Sequence, residues 1–204
     1  MKKNNSKSNI GETLATVAAI VGIGILTAAS ETYGVSTTTS STARTISIEE
    51  LETMYKDGPY KSAKRLYNSA MEIKAHYKTN GRTLDGGIIS VRGNTITIQS
   101  YTGTVVYNYR SNGLINDIRT SVDNVIIFKY DFNDRLTGIT YSNGKSSVFQ
   151  YDSYGRLVKE SEGLFYRRYT YNYHNQITNV SDSDGNYTVY EYDYEGNLKN
   201  IKKV

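Results

Sequence analysis

Four tyrosines, Tyr154, Tyr166, Tyr187 and Tyr194, are the side chains of this sequence best suited to binding a partner. A phenol ring stacks on a sugar or on another ring, and its hydroxyl hydrogen-bonds at the wet end. These four stand outside the positions that the tyrosine-rich C-terminal half repeats, so core packing does not account for them. Other groups invite chemistry and have a simpler reading. Asp131, Asp152 and Asp193 recur at one position, as a file of cation ligands would, but an Asp there also caps a turn by accepting backbone N–H groups. Asp182-Ser183-Asp184-Gly185 with Glu191 imitates part of a calcium loop, yet Val180 stands at its first ligand position and no helices flank it. His76 and His174 have no cysteine companion and no nucleophile motif, and both read as structural. There is no phosphate-binding glycine loop, no paired acids at hydrolase spacing and no dinucleotide fingerprint. The expectation is therefore a non-enzyme with no catalytic residue, no cofactor and no metal site.

What would position the tyrosines is a repeat. Tyr130-Asp131 is followed by Arg135-Leu136, and Tyr151-Asp152 by Gly155-Arg156-Leu157. Tyr171-Asn172 with Asn175-Gln176-Ile177 is a looser copy, Tyr192-Asp193 with Gly196-Asn197-Leu198 a closer one, and Tyr109-Arg110 with Gly113-Leu114-Ile115 a degenerate one. The leading tyrosines are 21, 21, 20 and 21 residues apart, a period that marks stacked repeat architectures. Each is preceded two residues earlier by Tyr107, Phe128, Phe149, Tyr169 or Tyr190. In an extended strand such pairs share one face while Gln150, Asp152, Glu191 and Asp193 point the other way. Each copy then reads as two strands and two turns, with Gly155, Gly196 or Asn175 at a positive-φ position. Neighbouring copies are expected to stack their aromatics into a ladder of cross-strand pairs.

Tyr151-Asp152-Ser153-Tyr154-Gly155-Arg156-Leu157 resembles the YD repeat of the RHS family, and the other copies depart from it by degrees: Asp134 replaces the glycine in one, and Tyr171 to Ile177 departs nearly throughout. The resemblance implies a curved β-sheet of the kind that family members build into toxin-enclosing shells or extracellular stalks. Four or five copies are too few to close a shell. The self-cleaving Asp-Pro segment has no counterpart, since the sole proline, Pro59, follows Gly58, and no toxin domain is expected beyond Val204. The implied fold is mainly β: a repetitive antiparallel β-hairpin sheet with a short N-terminal helical region and an apolar N-terminal helix.

The rest of the chain divides readily. Residues 1–30 combine Lys2, Lys3 and Lys7 with the uncharged run Leu14 to Ala29, and read as an export signal or membrane anchor. That run of 16 residues is shorter than the usual span of about 20. Residues 31–45 form a Ser/Thr-rich linker, and residues 46–81 a helical cap. In the cap, Ser47 and Glu50 make a capping box, Pro59 opens a second helix, and Asn80-Gly81 ends it. The stripe Ala63, Leu66, Tyr67, Ala70, Ile73 and Tyr77 faces inward, and the pair is expected to cover one end of the sheet. Residues 82–204 are the YD-repeat β domain. Net charge is only +4 and cysteine is absent, which excludes disulfides and thiolate zinc and gives no ground for a nucleic-acid partner. The functional expectation is an exported or surface-attached module that binds a protein or cell-wall glycan. The alternative is a structural subunit of a larger assembly, such as a phage virion or secretion apparatus, oligomeric through Leu14 to Ala29.

Overall fold

The computed structural model describes residues 58–204 except Asp85. The expected signal or anchor, the linker and the first helix of the cap therefore lie outside the described residues. One helix, α1 (Pro59–His76), precedes thirteen strands: β1 (Gly81–Arg82), β2 (Ile88–Arg92), β3 (Thr95–Ser100), β4 (Gly103–Tyr109), β5 (Ile115–Thr120), β6 (Val125–Tyr130), β7 (Leu136–Tyr141), β8 (Ser146–Tyr151), β9 (Leu157–Glu162), β10 (Phe165–Tyr171), β11 (Ile177–Asp182), β12 (Tyr187–Tyr192) and β13 (Leu198–Lys203). The strands lie in the sheet in chain order and pair antiparallel, so the fold is mainly β as the pattern requires. No helix among the described residues is long and apolar enough to cross a membrane.

The chain divides into two compact units. The first holds Ala63–Ser146; the second holds residues 58–62 together with Ser147–Val204. In the first, Tyr107, Ile115, Ile118, Ile126, Phe128 and Ile139 are buried, and Ala63, Leu66, Ala70 and Ile73 of α1 are buried with them. Each fully buried Ile or Leu contributes roughly 1.5–3 kcal/mol. Covering a sheet end was the expectation for the pair of helices, the first of which lies outside the described residues. Within the first unit α1 contacts β4 and β6: Tyr109 Oη donates to the Ala70 carbonyl at 2.7 Å, and Tyr67 meets Tyr130 edge-on. Lys74 Nζ donates to the Gly113 carbonyl in the turn after β4. An amphipathic helix gains more by burying its stripe on the apolar face of a sheet than by shielding an edge, and that gain decides its place.

In the second unit Phe149, Leu157, Tyr169, Ile177, Val180 and Tyr190 are buried. So are Glu160 and Arg167, an ion pair directly across β9 and β10. Glu160 also accepts from Tyr169 Oη at 2.7 Å. Its other oxygen accepts from the N–H of Tyr60, in the first turn of α1, at 2.8 Å. That turn contains no acidic residue of its own, so a carboxylate from the sheet satisfies an orphan helix donor and meets the positive end of the dipole. Gly58 is required beside it: a Cβ there would lie 2.6 Å from both Glu160 oxygens.

The first aromatic of each repeat pair is buried as the alternation requires, but the aromatics do not pair with each other. Tyr107 lies opposite Ile118, Phe128 opposite Ile139, Phe149 opposite Glu160, Tyr169 opposite Val180 and Tyr190 opposite Ile201. A copy contains one aromatic strand and one that is not, so the ladder alternates. Of the leading tyrosines Tyr109 is buried, whereas Tyr130, Tyr171 and Tyr192 are only half-buried and do a different job. Tyr130 Oη donates to the Ile115 carbonyl, Tyr171 Oη to Leu157 and Tyr192 Oη to Ile177, at 2.6–2.7 Å. Each hydroxyl thus ties its copy to the strand that follows the previous turn. Burial raises the pKa of all three phenols, which favours the neutral donor.

Candidate functional site

Each Tyr-Asp turn is built the same way. In the full-consensus copy Asp152 N–H donates to the Arg156 carbonyl and Gly155 N–H to the Asp152 carbonyl. Asp152 Oδ1 accepts from the N–H groups of Tyr154 and Arg156, and Oδ2 from Arg156 Nε at 2.7 Å. The fourth position has positive φ whether it is Gly113, Asp134, Gly155, Asn175 or Gly196, as a left-handed residue in a tight loop requires. A bulge follows in every copy, where the register shifts just before Tyr109, Tyr130, Tyr151, Tyr171 and Tyr192.

The recurring carboxylates Asp131, Asp152 and Asp193 are thus committed to their own turns. Slight desolvation acts to raise the pKa of Asp152, but the Arg156 N–H and guanidinium outweigh it and hold the carboxyl low. Asp193 is held low by the N–H of Asn197. The calcium-loop look-alike has the same chemistry: Asp182 Oδ1 accepts from the N–H groups of Asp184 and Asn186. Among the described residues no cluster of three or more metal-ligating side chains occurs. His76 ends α1 and meets Tyr77 edge-on; His174 lies against the Tyr173 ring at 3.8 Å.

The turns lift aromatic rings clear of the sheet. In the second unit Tyr154, Tyr173 and Tyr194 stand at the tips of three successive Tyr-Asp turns and are 81%, 88% and 94% exposed. In an antiparallel meander alternate turns fall at the same strand ends, so these tips form a row, two strands apart and hence about 9–10 Å from one to the next. The row is braced from behind. Arg156 stacks on the rings of Tyr154 and Tyr171 and donates to the Asn172 carbonyl and Asn175 Oδ1 of the next turn. Gln176 Nε2 donates to the Gly196 carbonyl of the turn after that.

Tyr154 and Tyr194 therefore belong together, and Tyr173, passed over in the sequence, completes the set. Its signal was available: the residue after the turn-capping Asp or Asn is Phe132, Ser153, Tyr173 and Tyr194 in successive copies, and the looseness of the third copy hid the match. Tyr166 and Tyr187 do not join this row. Tyr166 is the second residue of β10 and Tyr187 the first of β12, both at the opposite strand ends and on the outer face, and they are 37% and 41% exposed. Tyr187 Oη donates to Asn179 Oδ1.

The RHS Repeat family model matches residues 130–163 and 171–203. Two solved structures, the TcdB2-TccC3-Cdc42 complex and TcdB2-TccC3, are each similar at 18% identity with a TM-score of 0.43, over 62% of this chain and 8% of theirs. The chain thus spans less than a tenth of the length of those structures. No curated protein matches. Residues 130–163 and 171–203, with their capped Tyr-Asp turns and bulged hairpins, are RHS repeats.

Proposed function

We propose that the chain is a non-enzymatic RHS-repeat module, exported or surface-attached, that holds a partner on the turn tips of its second unit. The observation that carries this reading is the row Tyr154, Tyr173 and Tyr194. Three large rings lie almost wholly in water, on turns held rigid by capping carboxylates and by Arg156 and Gln176. Such rings add nothing to the core, and exposed aromatics on a fixed scaffold are the usual anchors of recognition. Their regular spacing suits an extended partner, either a cell-wall glycan or a protein segment, engaged at several points at once.

The test compares the chain with its Tyr154→Ser/Tyr173→Ser/Tyr194→Ser variant for retention on purified cell-wall glycan and on purified cell-surface protein. Retention of the parent on one of the two, lost in a variant with an unchanged melting temperature, is the expected result. Equal retention of both proteins removes the tip surface. Obligate oligomers that dissociate when Leu14 to Ala29 is deleted would favour the structural-subunit reading. N-terminal sequencing and cell fractionation test the export reading.

A further inference from the structure

The row of turn tips in the second unit carries a length scale. Tyr173 and Tyr194 each follow the capping residue of their turn, Asn172 or Asp193, and Tyr154 lies one position later in the turn before them. Two strand spacings separate successive tips, which is about 9.4–9.8 Å. A peptide that offers each ring the same group must repeat over that distance. An α-helix presents one face about every 5.4 Å, and an extended strand about every 6.4–6.8 Å. A polyproline II helix repeats every three residues at about 3.1 Å each, which is about 9.3 Å. Of these three regular conformations only the last fits.

The rings are presented to suit such a ligand. Arg156 stacks on Tyr154, and the His174 ring lies 3.8 Å from that of Tyr173, so each phenol is propped on one side while most of it stays in water. None of the three tip hydroxyls hydrogen-bonds among the described residues. A polyproline II helix has no internal hydrogen bonds, so its carbonyls are open to phenol donors while its pyrrolidine rings pack on the aromatic faces. The row is also charged at one end. In the Tyr154 turn Asp152 is paired with Arg156. In the Tyr194 turn the Asp193 carboxylate accepts from amide groups of Glu195 and Asn197, and Glu195 is exposed. Neither of those two acids forms an ion pair among the described residues.

We propose that the row Tyr154, Tyr173 and Tyr194 docks a proline-rich peptide in the polyproline II conformation, with an Arg or Lys beside its prolines placed at the Tyr194 end. This names the partner of the turn-tip surface and rests on that reading. Opposite charge at one end of the row fixes the direction in which the peptide lies. A ligand already in its bound conformation gives up little entropy on docking. The sole proline of this chain is Pro59, at the start of α1, so the occupant is another molecule and not a second copy. A neutral glycan makes no use of the charged end.

The test is titration of the full chain with a nonaproline peptide flanked by arginines. The controls are nonaproline flanked by glutamates, an arginine-flanked Gly-Ser peptide of equal length and a neutral β-glucan oligosaccharide. The arginine-flanked nonaproline binds tightest, and the Gly-Ser peptide is weaker by about tenfold or more. Tyr173→Ser and Tyr194→Ser each lower affinity for nonaproline by about tenfold or more at an unchanged melting temperature. Glu195→Gln narrows the gap between the two nonaprolines, and Tyr166→Ser/Tyr187→Ser, at the opposite strand ends, binds as the parent does. No binding of either nonaproline, equal binding of the Gly-Ser peptide, tighter binding of the glutamate-flanked peptide or of the glucan, or affinity unchanged in both single tyrosine variants overturns the proposal. If it falls while the triple tyrosine variant still loses retention on cell-surface protein or glycan, the turn-tip surface stands with a different ligand. Retention unchanged in the triple variant removes the surface itself.

Discussion

The hairpins β5–β6 and β9–β10 occupy the same place in the repeat and are held together by different physics. The first packs Ile118 against Ile126 in an apolar core. The second buries Glu160 against Arg167, and a tyrosine hydroxyl and a helix N–H add two further hydrogen bonds to the carboxylate. An apolar pair accepts many partners and specifies little. A buried ion pair contributes little net stability over apolar residues of similar size, but here it fixes the turn of α1 that docks and the glycine that precedes it. The backbone pattern of a repeat therefore tolerates a complete change in the chemistry of its core, provided the new groups satisfy one another.

The largest effect expected from breaking this comparison is at Arg167. Arg167→Met leaves Glu160 buried without its cation and should cost about 3–5 kcal/mol in denaturant unfolding. The double variant Glu160→Ile/Arg167→Ile, which gives β9–β10 the core of β5–β6, should recover most of that loss. Recovery stays incomplete because Tyr60 N–H and Tyr169 Oη lose their acceptor. A double variant no more stable than Arg167→Met would show that the two charges are not coupled. Next in size is Gly58→Ala, which drives a methyl group into the Glu160 carboxylate. About 1–3 kcal/mol is expected for that overpacking, and it should vanish in the double variant, where the crowded carboxylate is gone.

A smaller contrast separates two tyrosines of the first unit. Tyr109→Phe removes the hydrogen bond to Ala70 and should cost roughly 0.5–1.5 kcal/mol. The hydroxyl of Tyr107 is buried without a partner among the described residues, so Tyr107→Phe should be neutral or stabilising by thermal unfolding. The smallest effect at neutral pH becomes visible in alkali. Burial raises the phenol pKa values of Tyr107, Tyr109, Tyr169 and Tyr171 above the unfolded value. Their stabilising contribution is full below about pH 10 and is lost as pH rises through the folded values. Phenolate absorbance from these four rings should therefore appear only in step with unfolding. Their titration near pH 10 with the fold intact would remove the buried assignments.

Much of this architecture was legible in the sequence because it is periodic. The 21-residue spacing, the buried first aromatics and the positive-φ turn residues follow from local rules that each copy states again. The stripe of α1 was legible for the same reason, since a 3.6-residue period is local. What escaped was non-local. The Tyr130, Tyr171 and Tyr192 hydroxyls bond to carbonyls 14–15 residues back, a reach set by strand stagger. The position of α1 over β4 and β6 depends on tertiary packing. Of the four tyrosines singled out, Tyr154 and Tyr194 share one row of tips, whereas Tyr166 and Tyr187 lie at the other strand ends. The sequence marked all four as exceptions to the repeat but could not say which exceptions were neighbours. Tyr173 was missed because its copy matches the consensus poorly, while its turn keeps the geometry through Asn172 and Asn175.

The acceptor for the first turn of α1 has a consequence in time. Tyr60 and Glu160 are separated by 100 residues, so on a ribosome the helix start is made long before the carboxylate that holds it. At about 5–20 residues per second the delay is roughly 5–20 s, far longer than the microsecond or less in which a helix forms and frays. During that interval the first unit can collapse around residues 63–76 while the start of the helix remains unanchored. Closure of the helix onto β9 then becomes a late event that reports completion of the second unit.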